Sequence, residues 1–525
     1  MKIYDTTLRD GTQSAELNLS VQDKVEFALA LDAFGVDYIE LGWPGSNPKD
    51  MEAFHEISKR KLSHAKICAF GSTRKKDVSA GQDPNLLKIL ESKAPVATIF
   101  GKTWLVHVEK QLAISAEENL TIILESIAFL KKNNLEVIYD LEHFFDGFKD
   151  NKEYAFCCLE TAARAGADSL ILCDTNGGTL SSEIQNITNN VLRFLKRNNI
   201  KVELGIHCHN DRELGVANSL IVSKKMHQIQ GTINGFGERA GNTNLSSVMP
   251  SLATMNIDFF AKKNLKELTG LSHLLYTLAN VQPYPNQSFV GRNAFAHKAG
   301  VHVDAMMKGA TYEFMDPNDV GNARNIVLSD LSGKANIVEM VKKFGFDIDK
   351  NDAAIALLLE KIKDMEKKGY DIAGIEAEQY LLAQQFLNKT TERIDIDFFE
   401  VQSFGRKITK SKCFVKAIVD SEVLEHQSEV SGGPVDALYH ALQSLLEKKH
   451  PQVRNVELLN YKVRIAQQEG VSSSVRVYVE WVYENGKKED WATVGVDSNI
   501  LIASLEATKK GFEYYFNRFQ DKSDH

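Results

Sequence analysis

The feature that most constrains this sequence is a repeated alternation of short apolar runs with amphipathic segments along its first half. The apolar runs have the length and composition of buried strands. In order they read KIYDTT, VDYIELG, AKICAFG, VATIFGK, EVIYDLE, SLILCDT, VELGIHCH and IQGTINGFG. Ser20, three residues before Asp23, predicts a helix N-terminal cap, while Gly35 and Gly166 predict helix ends.

Eight βα units over about 255 residues fit a (β/α)8 TIM barrel in both number and length. A doubly wound open sheet is the alternative. It needs fewer units, and no GxGxxG motif follows the first predicted strand. We therefore predict an α/β fold that begins with a (β/α)8 barrel.

The remainder of the 525 residues divides into two further regions of different composition. Residues 271–390 are mostly helix-like after a loop-rich start, and residues 391–525 are rich in β-branched and aromatic residues. In the last region two sets of strand-like runs each precede one helix-like run. We predict a catalytic barrel at 1–270, a helical linker subdomain at 271–390 and a C-terminal α+β domain at 391–525.

Charge and hydropathy exclude several classes of partner. The formal net charge is −8, so no general basic field would attract nucleic acid or an anionic membrane. No apolar run is long enough to span a membrane, and the N-terminus lacks the apolar core of a signal peptide. The six cysteines form no CxxC pair, which favours buried free thiols in the reducing cytoplasm.

Polar residues follow the predicted strands at the end where barrel enzymes carry out their chemistry. The first strand leads to Arg9 and Asp10, and the second ends at Glu40. The later strands contribute Asp140, Glu142, Asp174, Thr175, His207 and His209, and the eighth leads into GFGERAGNTN. These groups are predicted to converge on one rim.

The stretch LGIHCHND is the most specific of these features. Alternate residues of a strand face the same way, so His207 and His209 point together, as in many metal sites. Two separately hydrogen-bonded histidines are the alternative. Asp10 is the best candidate for a third ligand, and Asn242 could reach the metal, its water, or the start of the next helix.

Arg9 and Asp10 are adjacent, and adjacent residues of a regular strand point to opposite faces. Both can serve one site only if the strand ends there. Gly11 would allow the backbone to turn immediately after Asp10.

Four motifs in this order resemble one enzyme family. DTTLRDGTQ, HCHND, GERAGN and FAHKAGVHVDA are similar to the 2-isopropylmalate, homocitrate and citramalate synthase family. The resemblance spans all three regions and implies barrel enzymes that condense acetyl-CoA with a 2-oxo acid on a divalent metal. Within the family, GWPGSNPKD and the chain length look most like the long form of the citramalate synthases, which implies pyruvate as acceptor.

The resemblance also implies roles for individual residues. Asp10, His207 and His209 would bind the metal (Mn, Zn or Mg), with Asn242 as a weaker or alternative ligand. Arg9 would face the substrate ketone, Thr175 would bind the substrate carboxylate, and Glu142 would match the active-site glutamate. From beyond the barrel, His302, Asp304 and Tyr312 would assist proton removal from acetyl-CoA. In the family such residues often serve the neighbouring subunit, which implies a homodimer.

Asp140 departs from the resemblance, because the citramalate synthases tend to carry a tyrosine there. A carboxylate would repel an anionic substrate, so either Asp140 faces elsewhere or the pocket differs. The alternatives are a 2-isopropylmalate synthase that uses 2-oxoisovalerate, a homocitrate synthase and a 3-hydroxyacyl-CoA lyase. GWPGSNP offers no cation for the second carboxylate of a homocitrate synthase substrate.

The C-terminal region resembles the feedback domain of these synthases. The resemblance implies that an amino acid, isoleucine for a citramalate synthase, binds at a dimer interface. The turns GGPVDALYHAL and TVGVDSNILIASLEA have backbone amides that could bind its carboxylate. Ordinary capped helices are the structural alternative, and an amino-acid sensor on an inactive barrel is the alternative to an enzyme.

Overall fold

A computed structural model gives the fold of the chain. It describes residues 1–297, 312–326, 334–349, 352–370, 372, 375–387, 392–405, 410–466, 473–484 and 488–520. These residues form two compact units. The first contains Met1–Phe295 and Met315–Ala323, and the second contains Ala296–Phe314 and Arg324–His525.

The first unit contains a closed barrel of eight strands in sequence order, with β1 paired in parallel to both β2 and β8. The strands are β1 (Lys2–Asp5), β2 (Tyr38–Gly42), β3 (Lys66–Ser72), β4 (Val96–Lys102), β5 (Glu136–Glu142), β6 (Ser169–Asp174), β7 (Glu203–Cys208) and β8 (Gln228–Gly231). The predicted (β/α)8 barrel is therefore confirmed.

Helices follow the strands around the barrel. They are α1 (Val21–Phe34), α2 (Pro48–Ser58), α3 (Pro84–Glu91), α4 (Leu105–His107), α5 (Ala116–Lys132), α6 (Phe144–Asp150), α7 (Lys152–Arg164), α8 (Ser181–Arg197), α9 (Gly215–Val222), α10 (Leu245–Thr254) and α11 (Leu268–Ala279). Apolar side chains between strands and helices form the main core. A separate apolar cluster, which includes Tyr4, Cys68 and Ile138, comes from the strands alone.

The local signals at helix ends act as expected. Ser20 accepts a hydrogen bond from the Asp23 amide, and the Asp23 carboxylate accepts one from the Ser20 amide, so α1 begins with a capping box. Gly35 ends α1 with a φ of 98°, which a glycine adopts without strain. Ser20 and Gly35 therefore begin and end α1 between the first two strands of the barrel.

The second unit begins with β9 (Ala296–His297) and β10 (Asn325–Ile326). Three helices follow, α12 (Lys334–Lys343), α13 (Ala353–Lys367) and α14 (Glu376–Phe386). Two antiparallel sheets then contain β11 (Ile394–Phe404), β12 (Lys410–Val419), β13 (Glu422–Val430), and β14 (Val456–Ile465), β15 (Val475–Glu484), β16 (Lys488–Asp497).

Each three-stranded sheet precedes one helix, α15 (Pro434–Glu447) or α16 (Ile500–Tyr515). The predicted unit of three strands and a helix is therefore present twice. Helix α11 crosses the predicted boundary at residue 270, and the three-part division of the chain stays a prediction. In the described part of the chain, every helix is too short or too polar to span a membrane.

Candidate active site

A cavity of about 190 Å³ lies at the carboxyl end of the barrel strands. Its lining comes from Arg9, Asp10, Gln13, Trp43, Phe70, Phe100, Asp140, Glu142, Cys173, Thr175, His207, His209, Glu238 and Arg239. Seven of these were predicted from the sequence as site residues. The rim of the barrel therefore brings together residues that lie far apart in the chain.

Arg9 and Asp10 reach the cavity from a turn and not from a strand. β1 ends at Asp5, and the Thr6 carbonyl accepts hydrogen bonds from the amides of Arg9, Asp10 and Gly11. The strand has therefore ended before Arg9 and Asp10, as their sharing of one site requires, and the chain already turns at Thr6, before Gly11. The turn at Thr6 removes the alternation of a strand, so adjacent side chains can share one site.

Asp10, His207 and His209 form a buried cluster whose candidate ligand atoms lie within 4.8 Å of one another. His207 Nε2 is 3.3 Å from Asp10 Oδ2. Burial alone would raise the pKa of Asp10, but the charge of Arg9 and the contact with His207 outweigh it and hold the pKa well below its usual range. Asp10 therefore offers an ionised oxygen.

The two histidines differ in environment. Burial lowers the pKa of His209 to about 4, which keeps this imidazole neutral near pH 7. Burial also disfavours protonated His207, but the hydrogen bond and charge of Asp10 outweigh it and raise that pKa. His207 Nδ1 lies 2.9 Å from Gln230 Oε1, a partner that the sequence analysis missed.

These residues fit a divalent cation. One carboxylate that follows β1 and two imidazoles at the end of β7 form a donor set typical of catalytic metal sites with open positions. Among the described residues, Asn242 Oδ1 and His209 Nδ1 are buried without a hydrogen-bond partner. Asn242 pairs with His209 through an isolated β-bridge, while Asn244 caps α10. The buried amide oxygen of Asn242, which has no hydrogen-bond partner among the described residues, is a further candidate metal ligand.

Arg9 is held rigidly at the edge of the cluster. Its Nε donates a hydrogen bond of 2.5 Å to Glu40 Oε1, and its Nη1 lies 3.5 Å from Asp10 Oδ2. The guanidinium also stacks on the Phe70 ring, with Cζ 3.6 Å from the ring centroid. An arginine in this position can stabilise a negative oxygen that forms in the cavity.

Asp140 lies at the cavity and does not face away from it. Asp140 is 5% exposed, and its Oδ1 accepts a 3.4 Å hydrogen bond from Gln230 Nε2. Burial, followed by the nearby charge of Glu40, raises the pKa of Asp140 to about 7. A carboxyl that is largely protonated in slightly acidic solution repels an anionic substrate less than an ordinary aspartate.

Glu142 and Thr175 line the same cavity. Glu142 Oε2 forms a 2.5 Å ion pair with Nζ of Lys102, its register partner on β4. Thr175 Oγ1 accepts a 2.8 Å hydrogen bond from the His143 amide, so its hydroxyl proton is free to be donated elsewhere. Lys102 on β4 therefore orients Glu142, and the first residue after β5 orients Thr175.

Three aromatic side chains form the apolar part of the wall. Trp43, Phe70 and Phe100 contact one another with ring centroids 5.4–5.7 Å apart. The Trp43 indole donates a 2.6 Å hydrogen bond to Asn85, which fixes the ring. Such a wall restricts the size of a substrate side chain. Strand periodicity alone cannot separate these rings from ordinary core residues.

The predicted residues beyond the barrel are only partly described. His302 and Asp304 lie outside the described residues. Tyr312 belongs to the second unit, where its side chain is 53% exposed. The catalytic roles of these three residues stay predictions.

Three family models match the chain in succession. The HMGL-like model matches residues 1–275, the homocitrate synthase post-HMGL domain-like model matches 289–370, and the LeuA allosteric (dimerisation) domain model matches 374–516. The (R)-citramalate synthase of Geobacter sulfurreducens is 45% identical over 99% of this chain and 98% of its own length. That of Aquifex aeolicus is 43% identical over 98% and 97%.

A 2-isopropylmalate synthase from a Geobacillus species is more distant, at 32% identity over 97% of this chain and 95% of its own length. Five (R)-citramalate synthases range from 37% to 45% identity. Both the barrel and the C-terminal sheets are therefore shared with acyl-transferring enzymes. The chain belongs to the HMGL-like family and, within it, to the family of the (R)-citramalate synthases.

Proposed function

We propose that the chain condenses acetyl-CoA with pyruvate and water to give (R)-citramalate and CoA. The observation that carries the proposal is the buried cluster of Asp10, His207 and His209 beside Arg9, in a chain whose full length matches (R)-citramalate synthases. The product would be the first intermediate of a threonine-independent route to isoleucine.

The residues of the cavity have separate tasks in this reaction. Thr175 donates its hydroxyl proton to the pyruvate carboxylate, and Arg9 directs its guanidinium at the ketone oxygen. When acetyl-CoA attacks the ketone, that oxygen becomes negative, and Arg9 stabilises it most strongly at that moment. Because Glu40 and Phe70 already hold Arg9, little reorganisation is needed.

A divalent cation bound by Asp10, His207 and His209, with Asn242 as an alternative ligand, would act as a Lewis acid on the same oxygen. We propose that His302, oriented by Asp304 and assisted by Tyr312, takes the methyl proton of acetyl-CoA. Glu142, which pairs with Lys102, lines the cavity and would receive or return a proton at the acceptor. Hydrolysis of the thioester then makes the reaction effectively irreversible.

The shape of the cavity supports pyruvate over 2-oxoisovalerate. The free volume is only about 190 Å³, and Trp43, Phe70 and Phe100 occupy one side of it. A methyl group needs less room than an isopropyl group, and overpacking against rigid rings is unfavourable. Asp140, with its pKa raised to about 7, borders the cavity without a full negative charge in slightly acidic solution.

We further propose a cytoplasmic homodimer that isoleucine inhibits through the C-terminal domain. The match to an allosteric dimerisation domain supports this, as do exposed apolar side chains on both sheets, including Val423, Leu459 and Ile465. At the start of α15, Gly433 provides no side-chain cap, which leaves backbone amides for a carboxylate. Asn499 caps α16 itself, so the second turn is less available.

The decisive experiment is a panel of 2-oxo acids assayed with acetyl-CoA for release of the CoA thiol, with and without a chelator. We expect pyruvate to have the highest kcat/KM and the chelator to abolish release. A higher kcat/KM with 2-oxoisovalerate would instead indicate a 2-isopropylmalate synthase. If none of the 2-oxo acids leads to release of CoA, the synthase function itself is contradicted. Replacement of Phe100 by alanine should raise kcat/KM for 2-oxoisovalerate and not for pyruvate.

A further inference from the structure

Gln230 links three strands at the candidate active site. We propose that Gln230 is a positioning residue that fixes the tautomer and orientation of His207, and that Asp140 fixes the orientation of the Gln230 amide. The inference rests on the metal site of the proposed function. It concerns residues outside the predicted ligand set, and it depends on contacts within the barrel alone.

The contact with His207 determines which imidazole nitrogen carries the proton. β7 and β8 place His207 and Gln230 opposite each other in register, and both side chains are buried. Gln230 Oε1 lies 2.9 Å from His207 Nδ1. An amide oxygen can only accept, so Nδ1 must donate the proton. The lone pair of the neutral ring is then on Nε2, the atom that faces Asp10 at 3.3 Å.

The contact with Asp140 determines which way the Gln230 amide faces. A glutamine amide can turn over and exchange its oxygen and nitrogen with little change in shape. In the observed orientation Nε2 donates to Asp140 Oδ1 over 3.4 Å. The reversed amide would place its oxygen against Asp140 Oδ1 and its NH₂ group against His207 Nδ1. Asp140 therefore selects the orientation that keeps Nε2 of His207 available.

The size of the expected effect follows from this role. Metal-binding histidines usually donate their second ring N–H to a fixed acceptor, and removal of that acceptor weakens metal binding about 10- to 100-fold. Gln230 is 1% exposed, so water does not readily replace its oxygen in a variant that fills the same space. Leucine is such a replacement, because it has nearly the same bulk and no acceptor.

Gln228 provides a matched control on the same strand. It precedes Gln230 by two residues, so both side chains face the same side of β8, and Gln228 is fully buried. Neither of its amide atoms has a hydrogen-bond partner among the described residues. Replacement of Gln228 by leucine therefore removes a buried amide from the same strand, as Gln230→Leu does, but it removes no contact with His207.

The experiment measures Mn²⁺ binding to the full-length chain after removal of metal with a chelator. Calorimetry gives the Kd, and the visible spectrum of the Co²⁺-loaded chain reports the ligand field of the site. We expect Gln230→Leu to raise the Kd for Mn²⁺ about 10- to 100-fold and to change the Co²⁺ spectrum. Gln228→Leu should leave both unchanged. Melting temperatures in chelator verify that each variant is folded.

Gln230→Glu is the conservative variant, because a carboxylate oxygen can also accept from His207 Nδ1. It is combined with Asp140→Asn, so that its second oxygen faces an amide donor and not another carboxylate. We expect this double variant to retain Mn²⁺ affinity close to that of the wild type. Asp140→Ala frees the amide to turn over, so about half the molecules should lose the binding-competent orientation, and the apparent Kd should rise about twofold. An unchanged Kd in Asp140→Ala would refute the part assigned to Asp140.

Equal losses in Gln230→Leu and Gln228→Leu, or in Gln230→Leu and the double variant, would overturn the inference. Wild-type affinity in Gln230→Leu would do the same. A wild-type chain that binds neither metal would overturn the proposed metal site as well. Failure of the inference is thus distinguishable from failure of the proposed function.

Discussion

Replacement of Glu40 by leucine should disable the site by releasing Arg9. Glu40 is completely buried, and its carboxylate accepts hydrogen bonds from the Tyr4 hydroxyl at 2.5 Å, the Thr6 hydroxyl at 2.6 Å and Arg9 Nε at 2.5 Å. Leucine occupies the space but accepts none of them. Within the part of the chain that the structure describes, Asp10 at 3.5 Å then remains as the ionic partner of Arg9.

The expected loss of stability follows from this geometry. Removal of one partner of a buried ion pair typically costs 3–5 kcal/mol, and the remaining contact with Asp10 places Glu40→Leu near the lower end, about 3 kcal/mol. Glu40→Gln keeps the shape and an oxygen for Arg9, and its NH₂ group can donate to Tyr4. It should cost only about 1–2 kcal/mol, since a charged acceptor is exchanged for a neutral one.

The kcat of Glu40→Leu should fall even under conditions where the variant is fully folded, because Arg9 would no longer be directed at the substrate oxygen. A displacement of about 1 Å in such a group can cost about 100-fold in kcat, and we expect that loss in Glu40→Leu. Urea denaturation gives the free energy of unfolding, and CoA thiol release at saturating pyruvate gives kcat. Wild-type stability and kcat in Glu40→Leu would refute the assignment of Glu40 as the support of Arg9.

Two further predictions concern metal binding and pH. His207→Ala should lose bound divalent metal and activity while its circular dichroism spectrum stays that of a folded chain, and unchanged metal content would contradict the ligand set. Burial raises the pKa of Asp5 from its ordinary 3.8 to about 7, so between these values the folded state binds more protons than the unfolded state. The free energy of unfolding should therefore fall as pH rises from 4 to 7. Asp5→Asn should reduce that slope in urea titrations at pH 5 and pH 7.5, whereas an unchanged slope would exclude Asp5 as its source.

Much of the fold could be predicted because its signals are local. Eight apolar runs of strand length define the barrel, and Ser20 and Gly35 determine where α1 begins and ends. The pairing of His207 with His209 follows from strand periodicity, and their approach to Asp10 follows from closure of the barrel. These inferences need no knowledge of side-chain packing.

The parts that could not be predicted depend on contacts between strands. Gln230 and Lys102 are ordinary residues in the sequence, and only the register of β7 with β8 and of β4 with β5 reveals their partners. The Thr6 carbonyl, which no sequence pattern identifies, accepts hydrogen bonds from the amides of Arg9, Asp10 and Gly11, so the chain turns before the position that Gly11 suggests. The hydrogen bond between Asp140 and Gln230 likewise joins residues ninety positions apart.

The charges around the cavity lead to a last prediction, that the cation must bind before the oxo acid. Arg9 contacts both Asp10 and Glu40, and without metal the formal charges of these three residues sum to −1. A protonated His207 beside Asp10 offsets this charge only below the raised pKa of its imidazole. An anionic acceptor would be repelled by that net charge, most strongly above about pH 7, where Asp140 also ionises.

A bound divalent cation makes the net charge of Arg9, Asp10 and Glu40 positive, so the site then attracts an anionic acceptor. Pyruvate should therefore bind measurably in calorimetry only after Mg²⁺ or Mn²⁺ is added, and Asp140→Asn should strengthen its binding at pH 8 more than at pH 6. Asp168→Asn is a suitable control, because this carboxylate is paired with Lys131 and neither residue belongs to the cavity lining. Equal pyruvate binding in the presence of a chelator would show that Arg9 and Thr175 hold the acid alone, and would contradict the order inferred from the charges.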